Sequence, residues 1–491
     1  MGVGAPAILL AAFSMFAHIG SPDVYFEGEA GAYHVLVTVN PPAMVPGIAQ
    51  VRVRVTSGAV GSMTVVPVYL TGKDQGLPPT PDVMQPVAGD PQSFTGQVWL
   101  MASGSWEVRV VVEGAQGEGR VAVPVPASAR RTLPMQKALG VLLLGLMLFL
   151  SVGIIAIAGA AAREGVLKPG AAPSPVQKRF GRLAMFLATA AVIGILALGN
   201  WWWNLEATDL THSMIYAAPP LAATLDSPGH LTLRIGENFW HDFRKDRWSM
   251  DLIPDHGHLI HAFLLRVPAM DEFYHLHPER QPDGSFGLKL PSLPAGRYQI
   301  FADIVRGSGF PETMVTEMTL PEVKGEPFSG DDSGTGASAY SPGNSSTAVS
   351  VLPDGSRMEW VKDGGGLKRG ELSWLRFQVK DAQGKPAEDL EPYMGMAGHA
   401  VFVRSDQTVF AHIHPAGSVP MVSLALAQQD MGATMDTMAP MAKMDHGAVH
   451  SVSPVVSFPY GFPQAGDYRL FVQIKRHGEV ETGVFDARVT N

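Results

Sequence analysis

A chain of 491 residues is too long for one ordinary domain, and three or four are expected. A formal charge of −9 argues against a nucleic-acid partner, and the complete lack of cysteine excludes disulfides and thiolate sites. Only 16% of residues are charged, so membrane segments within a water-exposed protein are expected, and any metal chemistry must use His, Met and carboxylates.

In chain order, residues 1–20 carry "APAILLAAFSMFAHIG", the apolar core of a secretory signal without a basic start or a small-x-small cleavage site. Residues 21–128 read as a β module. "YHVLVTVN" (33–40), "AQVRVRVTS" (49–57) and "SMTVVPVYL" (62–70) are alternating or β-branched runs broken by Pro and Gly. Two transmembrane helices are expected at 136–162, where 138–162 is uncharged, and at 183–203, which is uncharged throughout; each reaches the ~20 residues that a helix needs to cross a bilayer. Between them, 163–182 carries Arg163, Lys168, Lys178, Arg179 and Arg182, which places this loop in the cytoplasm and the β modules on the other side. Trp201, Trp202 and Trp203 suit the far interface, where indoles collect. Residues 205–324 and 347–491 form two further β modules. The Gly-, Ser- and Asp-rich 325–346 reads as a flexible linker between them. The fold class is therefore mainly β, with three immunoglobulin-like β-sandwich modules plus two transmembrane helices.

A repeat ties the modules together. "SGSWEVRVVV" (103–112), "AGRYQIFADI" (295–304) and "AGDYRLFVQI" (465–474) share Gly-x-aromatic before an alternating strand. The Gly supplies a turn with positive φ, and Trp106, Tyr298 or Tyr468 fills the core. The second and third modules are the closer pair. "DLIPDHGHLIHAFLLR" (251–266) aligns without a gap to "DLEPYMGMAGHAVFVR" (389–404), so His261 falls on His399. After one extra residue, His275 and His277 fall on His412 and His414.

Side chains alternate along a strand, so His412 and His414 share a face. With a four-residue turn at 405–408, Arg404 faces Val409, Val401 faces His412 and His399 faces His414, which gathers three imidazoles within ~5 Å across the ladder. A five-residue turn at 267–271 gives His261, His275 and His277 the same relation. Three protonated rings would repel and three buried neutral rings need partners; a metal ion answers both. His256 and His258 align with Met394 and Met396, an exchange that makes little sense for packing but suits copper, and these four are auxiliary ligand candidates. Asp303 and Gln473 also align; they are either ordinary strand residues or groups that orient a ligand ring. A Met-rich insertion at 421–450 holds Met421, Met431, Met435, Met438, Met441 and Met444, then His446 and His450, and reads either as loose Cu(I) capture or as a short amphipathic helix. Against all of this stands the plainer reading, in which His-x-His braces a hairpin.

The stretches "GSPDVYFEGEAGAYHVLVTVNPPAMVPGIAQVRV", "YMGMAGHAVFVRSDQTVFAHIHP" and "AGDYRLFVQI" resemble uncharacterised bacterial membrane-anchored proteins with YtkA-like, immunoglobulin-type extracytoplasmic domains. The resemblance implies a sandwich fold and an inner-membrane location, and supplies no reaction. The His and Met ligand chemistry is similar to that of periplasmic copper carriers, by analogy alone. The expected function is thus a membrane-anchored periplasmic copper-binding protein, not an enzyme. One site would use His261, His275 and His277, and the other His399, His412 and His414. The alternatives are a non-enzymatic adhesion, scaffold or assembly factor and, further off, a copper oxygenase. No Ser/His/Asp set, Gly-rich phosphate loop or paired-carboxylate signature is present.

Overall fold

The computed structural model describes residues 23–72, 78–226, 229–238, 240, 251–341, 348–362, 364–429 and 452–491. The signal-like segment and the Met-rich stretch from Met431 through His450 lie outside the described residues. The chain divides into two units, 129–216 and the remainder.

The smaller unit is helical. Lys137–Glu164 and Pro175–Met214 are both long and apolar enough to cross a membrane, and neither span is covered by protein. The second helix begins earlier than hydropathy alone suggests, because Ser174 and Gln177 form a reciprocal capping box with Pro175 in the first turn. The expected loop 163–182 shrinks accordingly to 165–174. Gly159 and Gly181 are the buried points of contact between the two helices. A Cβ on Gly159 would strike Met185, so small residues here permit close approach.

The larger unit is mainly β. Its described residues form six sheets, two from each expected module. The three pairs of sheets enclose three separate hydrophobic cores. The repeated aromatic corner has the same bond in each: Trp106 Nε1, Tyr298 Oη and Tyr468 Oη each donate to a carbonyl four residues earlier. Each ring thus enters the core while its polar tip stays satisfied. The glycine that precedes it has positive φ at Gly104 and Gly466. Gly296 differs: it is not among the positive-φ glycines, and the Arg266 side chain lies across it, where a Cβ would collide.

Two strands explain how the second and third modules meet. His261–Val267 and His399–Arg404 are buried on both faces. Ala262 and Leu264 enter the core of their own module; Phe263, Leu265 and Val267 enter a fourth cluster shared with Val401, Val403, Phe410 and Phe471. The contact is reciprocal. Phe273 stacks on Phe471 with centroids 4.2 Å apart, and the equivalent Phe410 stacks on Phe301 at 4.2 Å.

Residues 325–346 do more than link. Ser333–Gly336 is a strand that pairs with Glu272–Leu276, with His275 opposite Ser333. The small residues that read as flexibility allow this segment to lie flat: at Gly334 a Cβ would strike the Tyr274 ring. The Met-rich insertion opens with a regular element. Met421–Gln429 is a helix whose Leu424 packs into the core of the first module, with Met421 against the same cluster.

Candidate metal centre

The hairpin registers are those that the turn lengths dictate. Phe263 pairs with His275, and Val401 with His412. Arg404 N donates to Val409 O, closing the four-residue turn. Alternation then sends His261, His275 and His277, and likewise His399, His412 and His414, toward the face that the two modules share. All six imidazoles gather at one end of that interface. His261, His275, His277, His399 and His414 are buried, and the His412 side chain is 8% exposed.

His261, His275 and His277 converge through Nδ1, Nε2 and Nε2. His261 Nδ1 lies 3.1 Å from His275 Nε2 and 3.2 Å from His277 Nε2. Each outward nitrogen meets an oxygen. His261 Nε2 donates to Asp255 O at 3.1 Å, His275 Nδ1 to Gln473 Oε1 at 2.9 Å, and His277 Nδ1 to Asp332 Oδ1 at 2.9 Å. The Gln473 amide has its orientation fixed, because its Nε2 donates to Ser333 Oγ at 2.6 Å. Tyr393 Oη, which donates to Asp331 O, lies 3.3 Å from His275 Nδ1. With the outward protons so placed, three lone pairs face one another with no proton among them.

The second cluster has a different membership from the one that the repeat suggests. His256, His399 and His414 bring ligand nitrogens within 4.8 Å of one another, and so do His261, His275 and His277. His412 is not the third member; it stands between the trios, with ring centroids 5.6 Å from His261, 5.8 Å from His275, 5.5 Å from His399 and 4.6 Å from His414. His412 Nδ1 is 3.3 Å from Asp303 Oδ2. Thus Gln473 of the third module supports a ring of the second, and Asp303 of the second faces a ring of the third. Pairing explains the exchange: each lies opposite the first histidine of its own hairpin, on the face that the other module covers.

His256 reaches the third module from a tight turn. Asp255 and His258 bridge across His256 and Gly257, both with positive φ (51° and 88°). Tyr393 and Met396 bridge in the same way across Met394 and Gly395 (50° and 80°). Left-handed backbone at a non-glycine residue costs roughly 1 kcal/mol or more, so both turns hold their side chains against a local preference. His258 stacks on His277 with centroids 3.8 Å apart, and its Nε2 lies 3.5 Å from Asp331 Oδ2. Met394 and Met396 are half-buried on the opposing turn, and the Met394 backbone bonds to the His256 ring.

Burial pushes the imidazolium forms of His261, His275, His399 and His414 well below the ordinary range, and neighbouring rings push in the same direction. His256 and His277 are lowered too, chiefly by burial, which nearby carboxylates partly oppose. Among the described residues, neither nitrogen of His399 has a hydrogen-bond partner, nor do His256 Nε2, His412 Nε2 or His414 Nε2. His414 Nδ1 donates to Val419 O at 3.1 Å.

The residues that sequence reading missed are the outer supports. Asp332 and Asp331 sit in the stretch read as linker. Asp255 also accepts from Val422 N, at the start of the Met421–Gln429 helix, through Oδ1. The doubly apolar strand "HAFLLRV" was the available signal that a second surface covers the histidine face.

Residues 349–491 match a family model described as a domain of unknown function, DUF8832. No curated protein matches. Among solved structures, the chain is similar to a biofilm-associated protein BSP domain at 6% identity, covering 97% of this chain and 68% of that one, with a TM-score of 0.14. It is similar to a protein from Corynebacterium diphtheriae described as membrane anchored, at 8% identity over 96% of each chain, with a TM-score of 0.14. A fragment of the ICAM-5 ectodomain gives 10% identity over 96% and 84%, with a TM-score of 0.13. Overlaps this poor carry no weight for function.

Proposed function

We propose that this is a membrane-anchored periplasmic metal-binding protein that handles copper through two histidine trios, in storage, delivery or resistance and without catalysis. One observation carries the reading: the inward Nδ1 of His261 lies 3.1 Å from His275 Nε2 and 3.2 Å from His277 Nε2 while all three outward nitrogens already hold oxygen partners. A cation at the centre of this trio would satisfy all three inward lone pairs at once. Burial disfavours a proton at neutral pH. A metal ion with bonds of about 2.0–2.1 Å to three nitrogens needs them about 3.3–3.6 Å apart, close to what is present. Outward nitrogens that donate to carbonyl, amide and carboxylate oxygens fix the tautomer, as they do around metal-bound imidazoles.

Copper is favoured over harder ions because neither trio contains a carboxylate, and because Met394 and Met396 flank the site on the opposing turn. Monovalent copper also places the least charge among buried neutral ligands. The basic loop between two apolar helices supports a cytoplasmic loop with the β modules in the periplasm of a bacterial inner membrane. A periplasmic protein that exchanges copper with the chain is the implied partner. Oxygen partners on the outward nitrogens also suit the rival reading, a scaffold in which the rings only brace the module interface.

The test uses the full chain in mild detergent, loaded anaerobically with Cu(I) or separately with Zn(II), then desalted and assayed for metal. Copper should be retained, and should raise the unfolding temperature. The His275→Ala/His277→Ala protein should lose the most tightly held ion. Copper retention unchanged by that pair overturns the assignment, and a wild-type chain that holds no metal leaves the scaffold.

A further inference from the structure

The trios are adjacent, and the ring between them belongs to neither. His412 is the equivalent of His275, yet its Nε2 has no partner among the described residues although its side chain is only 8% exposed. Its other nitrogen lies 3.3 Å from Asp303 Oδ2; the tautomer with its proton on that side leaves the Nε2 lone pair free to bind. Its ring lies 5.5–5.8 Å from His261, His275 and His399, and 4.6 Å from His414. Rings on either side are similarly close: His256 to His261 is 6.1 Å and His275 to His399 is 6.5 Å.

Resting on the copper reading above, we propose that the two trios form one coupled centre for two soft monovalent cations, and that His412 is the hand-over ligand, whose single free nitrogen serves the exchange position when both ions are bound and reaches the other position as an ion moves between them. The His261, His275 and His277 position is the tight one, because every ring in it is held from behind. The His256, His399 and His414 position is the exchange one. Among the described residues neither nitrogen of His399 is held, so this trio adjusts its geometry more freely.

Two consequences follow. First, repulsion between unit charges about 6 Å apart, at an effective dielectric of about 20, weakens the second ion roughly hundredfold. The loaded protein therefore carries one firmly held ion and one available for release. Second, an ion moving between positions need never lose all its ligands, because His412 Nε2 takes hold before the last imidazole of the first trio lets go.

The experiment titrates the full chain in detergent with Ag(I), a redox-inert monovalent d¹⁰ ion, against a competing chelator, and follows exchange of bound silver. Two ions per chain are expected, with affinities about a hundredfold apart. His412→Ala should leave the first affinity within about threefold, lower the second at least tenfold, and slow exchange. His399→Ala should remove the second ion alone. Asp303→Asn, which keeps the His412 ring but weakens its anchor, should move the second affinity in the same direction by a smaller factor, and covers the case in which His412→Ala does not fold. Two independent ions of equal affinity, or a second affinity and exchange rate indifferent to both His412→Ala and Asp303→Asn, overturn the hand-over ligand. Absence of any silver binding by the wild-type chain would instead overturn the metal reading itself.

Discussion

The first and second trios start from the same hairpin and differ in what stands behind the rings. Behind His261, His275 and His277 are a backbone carbonyl, a clamped amide and a carboxylate, each taking one outward proton. Behind His256, His399 and His414, His414 donates to Val419 O and the Met394 backbone bonds to His256, while among the described residues neither nitrogen of His399 has a partner. Strand alternation is enough to bring imidazoles together, whereas rigidity comes from groups that a neighbouring element supplies. A site can therefore be duplicated in sequence and still diverge in stiffness, because its supports are not duplicated with it.

That contrast can be broken or sharpened in several ways. The largest effect is on the metal-free protein as acid is added. The unfolded chain takes protons on its histidines near pH 6.5, while burial keeps His261, His275, His399 and His414 neutral in the folded state. The unfolded state then binds more protons, so stability is whole above about pH 7 and falls as pH drops below about 6.5. The slope reaches about 1.4 kcal/mol per ring for each pH unit. Denaturant melts at pH 7.5, 6.5 and 5.5 measure this; flat stability across that range would contradict burial of both trios.

Next in size is the loss of a ring. His275→Ala should weaken the tighter ion by more than about hundredfold, beyond the loss expected from an outer support, and chelator competition reads it. Smaller is Asp332→Ala, which frees His277 Nδ1 and should cost roughly 10–100-fold in the same affinity while sparing the second ion. Equal loss at both positions would remove the distinction drawn here between a stiff and an adjustable trio. Smallest is Tyr298→Phe or Tyr468→Phe, each of which deletes one hydrogen bond at a repeated corner and should lower stability by about 1 kcal/mol without affecting metal.

Much of this was legible beforehand. The alternating runs at 33–40 and 295–304 became strands, since β-branched and aromatic residues separated by Pro and Gly have few other ways to bury one face. The register of both hairpins followed from turn length. Hidden from view was the partnership of His256 with His399 and His414, because the two ends of that trio lie on different modules. Asp332 was equally hidden: a Gly- and Ser-rich stretch has no pattern of its own, and takes its edge-strand form from Glu272–Leu276.

By itself the sequence determined which rings point the same way, since the pleat leaves a residue only two faces to choose from. It also determined the two apolar helices, since backbone that meets lipid must satisfy its hydrogen bonds internally. Which nitrogens meet, which are supported and which remain free was decided only when Phe273 and Phe410 stacked across the interface. Contacts between distant segments depend on surfaces that do not exist until each module has folded.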